Sequence, residues 1–200
     1  HTGTITITNA NYTVSELASI NNGTSGSITL VTTDTSLSGN STDLAAGLAG
    51  SINYTGDVTI TNDDYTIAEL KGINSGTEGT ITINTPTANL SGTVSDIKAA
   101  FAGTVTTNTG TVTISDANTT DITATDITTI NTAITGNITV TNTIDINGSG
   151  SEVAAAFAAI DTNTGNATAN VTGTDYTVAQ LKSINDATTG AIVLATPTAN

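Results

Sequence analysis

Residues 65–83, YTIAELKGINSGTEGTITI, decide how the chain is read, because the same pattern returns three more times. Tyr12–Leu30 reads YTVSELASINNGTSGSITL, Ile122–Val140 reads ITATDITTINTAITGNITV, and Tyr176–Leu194 reads YTVAQLKSINDATTGAIVL. Each copy opens on a large apolar residue and Thr, with an acid or amide three residues after that Thr. Leu or Ile follows, then an Ile-Asn pair, then a Gly that introduces apolar residues alternating with Thr. A second theme fills the intervals: LSGNSTDLAAGL (37–48), LSGTVSDIKAAF (90–101) and INGSGSEVAAAF (146–157). The two themes alternate, giving a single unit of about 27 residues, a period typical of solenoids and arrays.

Both themes carry a helix start. Thr13/Glu16, Thr66/Glu69, Thr123/Asp126 and Thr177/Gln180 have capping-box spacing, as do Asn40/Asp43, Thr93/Asp96 and Ser149/Glu152. In the first theme Tyr12, Tyr65, Ile122 and Tyr176 stand five positions before Leu17, Leu70, Ile127 and Leu181, the spacing of a hydrophobic staple. The signals predict first-theme helices near 13–22, 66–75, 123–132 and 177–186, and second-theme helices near 40–49, 93–102 and 149–159. After each helix, Gly introduces an apolar run with period-2 patterning, the mark of a strand with one buried face. These strands are expected at 4–8, 27–31, 57–61, 80–84, 111–115, 137–141, 166–170 and 191–195. NATAN (166–170), with only Ala167 and Ala169 to turn inward, is expected to be weak or irregular.

Strand–helix–strand units without hairpin turns imply parallel strands joined by right-handed crossovers. The predicted fold is an α/β solenoid with short crossover helices, laid out like leucine-rich repeats, as a single repeat array over 1–200. One sheet with all helices on one face is the simplest layout; a coil with two separate sheets is the rival. On the one-sheet layout Thr4, Thr6, Thr8, Thr59, Thr61, Thr80, Thr82, Thr111, Thr113, Thr139 and Thr141 would project from one face. The closing ATPTAN (195–200) repeats TPTAN (85–89), which precedes a second-theme helix, so both ends are expected to fall mid-repeat.

Composition excludes several functions. Threonine is the commonest residue, 48 of 200, and only 3% of the chain is aromatic, which suits a thin, regular core. Seventeen acids face three lysines and no arginine, for a net charge of −14, so the basic clusters that nucleic acid requires are missing. No apolar run reaches the roughly 18–20 residues of a transmembrane helix, so membrane insertion is not expected. The absence of cysteine removes any disulfide framework or thiolate metal site. An acidic, Thr- and Asn-rich chain fits an extracellular or cell-surface location.

The alternation of YTVAQLKSINDATTGAIVL (176–194) with LSGTVSDIKAAF (90–101) resembles repeats of giant bacterial and cyanobacterial extracellular surface proteins, among them haemolysin-type adhesins and cell-surface filaments. That resemblance implies a surface or fibre role with no particular partner. The glycine-rich calcium nonapeptide common in such proteins is missing.

The residues give little chemistry. His1 is the sole histidine, at the first position, and no Ser or Thr has an activating partner in a GxSxG-like context. Most acids serve as caps, and a glycosidase cleft would need aromatic walls, so an enzyme is not expected. Acids before the first-theme helices, Asp63, Asp64, Asp121 and Asp175, with Asp116, are candidate calcium ligands if stacking aligns them, against the plainer reading as turn and cap residues. Sequons at Asn11, Asn22, Asn40, Asn53, Asn118, Asn137, Asn166 and Asn170 are candidate glycosylation sites, as are those at Asn89 and Asn147. The Thr rows read as a soluble strand face, an O-glycan carrier, or an ice-binding plane. The functional expectation is a structural segment of an extracellular filament, stalk or surface layer, assembling end to end with itself and carrying covalent glycans. The alternative is an adhesin-type module recognising glycan or calcium.

Overall fold

A computed structural model describes residues 1–196. The described residues form an α/β fold with seven helices and thirteen short strands in four parallel sheets. Contacts divide it into two compact units. The first holds His1–Ala88 and Ala99–Thr107; the second holds Asn89–Lys98 and the residues from Asn108 onward.

The first unit runs β1 (Ile5–Ile7), α1 (Val14–Asn22), β2 (Ile28–Leu30), β3 (Leu37–Gly39), α2 (Ser41–Gly47), β4 (Val58–Ile60), α3 (Ile67–Gly76) and β5 (Ile81–Ile83). Strand β1 pairs with β2, and single bridges join Ile28 to Ile52 and Ile81 to Val105. The second sheet has the order β3-β4-β5. Helix α1 packs on α2 and α2 on α3.

The second unit opens with β6 (Leu90–Gly92), and its boundary falls within α4 (Val94–Ala100). There follow β7 (Val112–Ile114), β8 (Asp121–Thr123), α5 (Ala124–Ala133), β9 (Ile138–Val140), β10 (Asp145–Gly148), α6 (Gly150–Ala159), β11 (Thr162–Asn163), β12 (Thr168–Val171), α7 (Val178–Ala187) and β13 (Ile192–Leu194). Its sheets have the orders β6-β7-β9-β11 and β8-β10-β12-β13. Helix α6 lies between α5 and α7.

Strand pattern and core agree. Val58, Ile60, Ile81, Val112, Ile114, Ile138 and Val140 are fully buried, while the Thr between them are half-buried (Thr59, Thr113, Thr139) or exposed (Thr82). Beneath the helices lie Leu17, Leu44, Leu70, Ile97, Ile127 and Val153, all without exposure. The N-cap backbone is extended at Thr13, Asn40, Thr66, Thr123, Ser149 and Thr177, and the helix begins at the next residue.

One sheet does not form, because strands and helices advance at different steps. Hydrogen-bonded partners lie 21–26 residues apart, as in Leu37↔Val58 and Val112↔Ile138, whereas helix starts lie 26–30 apart. Each ladder therefore recedes from the helix that follows it. Leu37 opens its strand four residues before α2 and Val58 nine before α3; Asp121, Asp145 and Thr168 stand three, five and ten before their helices. After a few steps a ladder has drifted away and a new one starts beside a helix N-terminus. The Thr positions are consequently divided among separate sheets. Thr6 lies beside Thr29, Thr59 between Ser38 and Thr82, and Thr139 between Thr113 and Thr162.

NATAN also departs from expectation. Its C-terminal part joins Val171 to form β12, a regular four-residue strand between β10 and β13. Ala167 and Ala169 are fully buried and Val171 nearly so, so small side chains suffice where the sheet is covered closely.

Candidate functional site

The recurring residues build contacts between one repeat and the next. Thr13, Thr66 and Thr177 accept from the N3 amide, and Glu16, Glu69 and Gln180 accept from the cap amide in return. Ser149 and Glu152 do the same in α6. Helix α5 is the exception. Thr123 makes no side-chain cap bond, and Asp126 turns instead to an ion pair with Lys98. Hydrogen bonds from their own caps hold the carboxyls of Glu16 and Glu152 below the ordinary glutamate range. At Glu69 partial burial pushes the other way. Hydrogen bonds from Thr42, Thr66 and Ser41 outweigh it, and the pKa is lowered. Glu69 thus ties its own helix to the first turn of α2, accepting from Ser41 Oγ at 3.1 Å and Thr42 Oγ1 at 2.6 Å.

The staple tyrosines reach sideways. Tyr12 donates to the Thr32 carbonyl at 2.6 Å and Tyr176 to that of Thr196 at 2.9 Å, each about twenty residues on. Tyr65 bonds the Ala88 backbone in the same way. Tyr54, outside the staple pattern, lies within hydrogen-bond distance of the Thr35 and Asp57 carbonyls. Burial raises the pKa of Tyr12, Tyr54 and Tyr65, so all three phenols stay protonated donors.

The Asn of the Ile-Asn pair serves the next helix. Asn21 Nδ2 donates to the carbonyls of Ala46 (2.7 Å) and Ala49 (2.9 Å) at the end of α2. Asn74 does likewise to Ala99 (2.7 Å) and Ala102 (3.0 Å). These are C-terminal carbonyls that a helix leaves without partners. Two further side chains stand at helix starts. Asn62 accepts from the Ser41 amide at 2.8 Å, and the buried Asp116 from that of Val94 at 2.8 Å. Asn53 substitutes for a strand, accepting from the Leu30 amide and donating to its carbonyl.

The Gly before each strand is explained by crowding. A Cβ on Gly26, Gly79 or Gly136 would sit 2.1, 2.2 or 1.9 Å from the carbonyl oxygen of Gly3, Gly56 or Gly110 respectively. Two residues before Gly79, the buried Thr77 hydroxyl donates to the Gly56 carbonyl at 2.7 Å and accepts from the Gly79 amide at 2.9 Å. Thr188 repeats this between Ala167 and Gly190.

The candidate calcium ligands do not converge. Asp63 and Asp64 are exposed neighbours, with Asp64 accepting from Asn62; Asp121 accepts from Asn147; Asp175 is exposed. Among the described residues no group of three or more acids or histidines is arranged to hold a metal. Of the candidate glycosylation sites, Asn11, Asn22, Asn40, Asn53, Asn118, Asn137 and Asn166 are exposed and Asn170 is half-buried in β12. The Nδ2 groups of Asn40 and Asn53 are already bonded, to Asp43 and Leu30.

A groove between β1 and α1 is lined by Ile7, Tyr12, Glu16 and Ile20 among others. Another lies beside Lys98, Asp116, Asp121 and Asp126, with its lysine ion-paired to Asp126. No helix among the described residues is long and apolar enough to cross a membrane. No protein-family model matches the chain, and no curated protein or solved structure matches it either.

Proposed function

We propose that the chain is a structural repeat segment of an extracellular filament, stalk or surface layer, a right-handed α/β solenoid whose repeats stack end to end. The observation that carries this reading is the use to which the recurring residues are put. Tyr12, Asn21, Asn74, Thr77 and Glu69 spend their polar atoms on neighbouring repeats. At these positions the polar groups supply regular construction. The reading extends the resemblance to surface-protein repeats seen in the sequence, and the glycan-bearing role attaches to exposed sequons such as Asn11 and Asn137.

Electron microscopy of the concentrated protein tests it. Rods that lengthen by end-to-end addition are expected. Dispersed compact particles that bind glycans on an array would replace this reading with the adhesin alternative.

A further inference from the structure

Helix α7 and β13 are a first-theme copy whose outer face is more exposed than in the other first-theme copies. Val178 is 86% exposed, whereas Val14, Ile67 and Ala124 at the same position are 7%, 3% and 0% exposed. Leu181 is half-buried where Leu17, Leu70 and Ile127 are fully buried, and Ile192 and Leu194 in the adjoining strand are half-buried where Ile28 and Leu30 are buried. Asn185, the counterpart of Asn21 and Asn74, lies exposed.

The first unit shows what covers such a face. Over α1 and β2 lies the second-theme segment Leu37–Asn53. Its Gly39 sits against Val14, and its Gly47 against Leu17 and Ala18. Its Ala46 and Ala49 carbonyls take the Asn21 amide group, Ile52 bridges to Ile28, and Asn53 pairs with the Leu30 backbone. The receptor side of these contacts recurs in α7 and β13 with Val178 for Val14, Leu181 for Leu17, Asn185 for Asn21, Ile192 for Ile28 and Leu194 for Leu30; Ala18 alone changes, to Lys182, as it does to Lys71 in the second copy.

We infer that the outer face of α7 and β13 is a docking site for a second-theme segment, a short Ala-rich helix introduced by Leu-Ser-Gly and closed by Ala-Gly. This rests on the array reading and adds a rule of order to it: a first-theme face selects the second theme.

The test adds a synthetic peptide of residues 37–55 to the whole chain and follows amide hydrogen exchange. Slowed exchange at Leu194, the counterpart of Leu30, is expected. Asn185→Ala, which removes two hydrogen bonds at an exposed position, should weaken binding about tenfold or more. A Gly47→Leu peptide should not bind, since any Cβ there already approaches the receptor backbone and Leu17 within 3.2–3.4 Å. Because an isolated peptide pays for its own folding, the same segment is also joined after Asn200, where Leu194 should again be protected. No protection in either format overturns the docking site. The outcomes also separate the two readings: peptide binding without rods leaves docking intact and removes self-assembly, whereas rods that excess peptide fails to shorten remove docking and leave the array.

Discussion

Replacing Gly79 by Ala should be a severe single-methyl change. The added Cβ would stand 2.2 Å from the Gly56 carbonyl oxygen and 2.4 Å from its carbon. Both are backbone atoms, so no side chain can swing aside, and the two repeats must part by about 1 Å to reach an ordinary contact distance. The bonds beside the clash are short: Val58 N–H to the Thr80 carbonyl at 2.9 Å and Thr77 Oγ1 to Gly56 at 2.7 Å. Parting by that much lengthens them to nearly 4 Å, outside hydrogen-bonding range. Overpacking strain of about 1–3 kcal/mol and two lost bonds at about 1 kcal/mol each suggest a loss of about 3–5 kcal/mol. Calorimetry or thermal circular dichroism should show Tm falling by about 6–20 °C. Gly72→Ala is the control. Its nearest neighbour is the Ala45 Cβ at 3.7 Å, and a mid-helix Gly→Ala change should stabilise α3 by about 0.5–1 kcal/mol. Equal Tm values for the two variants would refute the crowding argument.

Asn74→Ala should cost about 1–3 kcal/mol in denaturant titrations, since the Ala99 and Ala102 carbonyls lose their donor. Asn131→Ala, at the matching but exposed position of α5, should stay within about 0.5 kcal/mol of the parent. The lowered pKa values of Glu16, Glu69 and Glu152 mean that their stabilisation is fully present above the ordinary value of 4.5 and is lost as pH falls through the folded-state values. Glu69→Gln, a cap of the kind Gln180 already forms, should therefore flatten the pH dependence of Tm below about pH 4.5 while preserving α3 by circular dichroism. Tyr12→Phe should lower stability by about 1 kcal/mol, measured by urea midpoint, because the Thr32 carbonyl loses its partner. Chelator should leave Tm unchanged, as no described group of acids is arranged to bind a cation.

The helices were legible because capping is local. A Thr and an acid three residues apart state the start of a helix without reference to anything distant, and the apolar staple fixes its entry. The eight Gly-introduced strands were legible for the same reason, through period-2 alternation. Five strands were not. Segments LSG at 37–39 and 90–92, DIT at 121–123, DING at 145–148 and TN at 162–163 are too short and too poor in β-branched alternation to announce themselves. They pair only because the preceding repeat offers an edge. The division into four sheets was hidden too, since it depends on the difference between the strand step and the helix step, which becomes visible only when registers are known.

The joining residues were half legible. Asn21 and Asn74 recur in every reading of the motif, yet their targets are carbonyls 25–28 residues away, beyond any local pattern. Tyr54, Asn62 and Asp116 carry no recurring signature strong enough to mark them. The Gly at each strand start was visible, but its reason was not: tight stacking on the previous backbone, rather than a turn, excludes a side chain there.

Amide hydrogen exchange tests the stacking account most directly. Ile28, Val58 and Val112 donate their amides to the Ser51, Thr80 and Asn137 carbonyls of the following repeat, from strands only three residues long. Repeats that hold one another should keep all three amides closed to solvent. Slow exchange at all three is the predicted result; fast exchange there while the helix amides stay protected would contradict it.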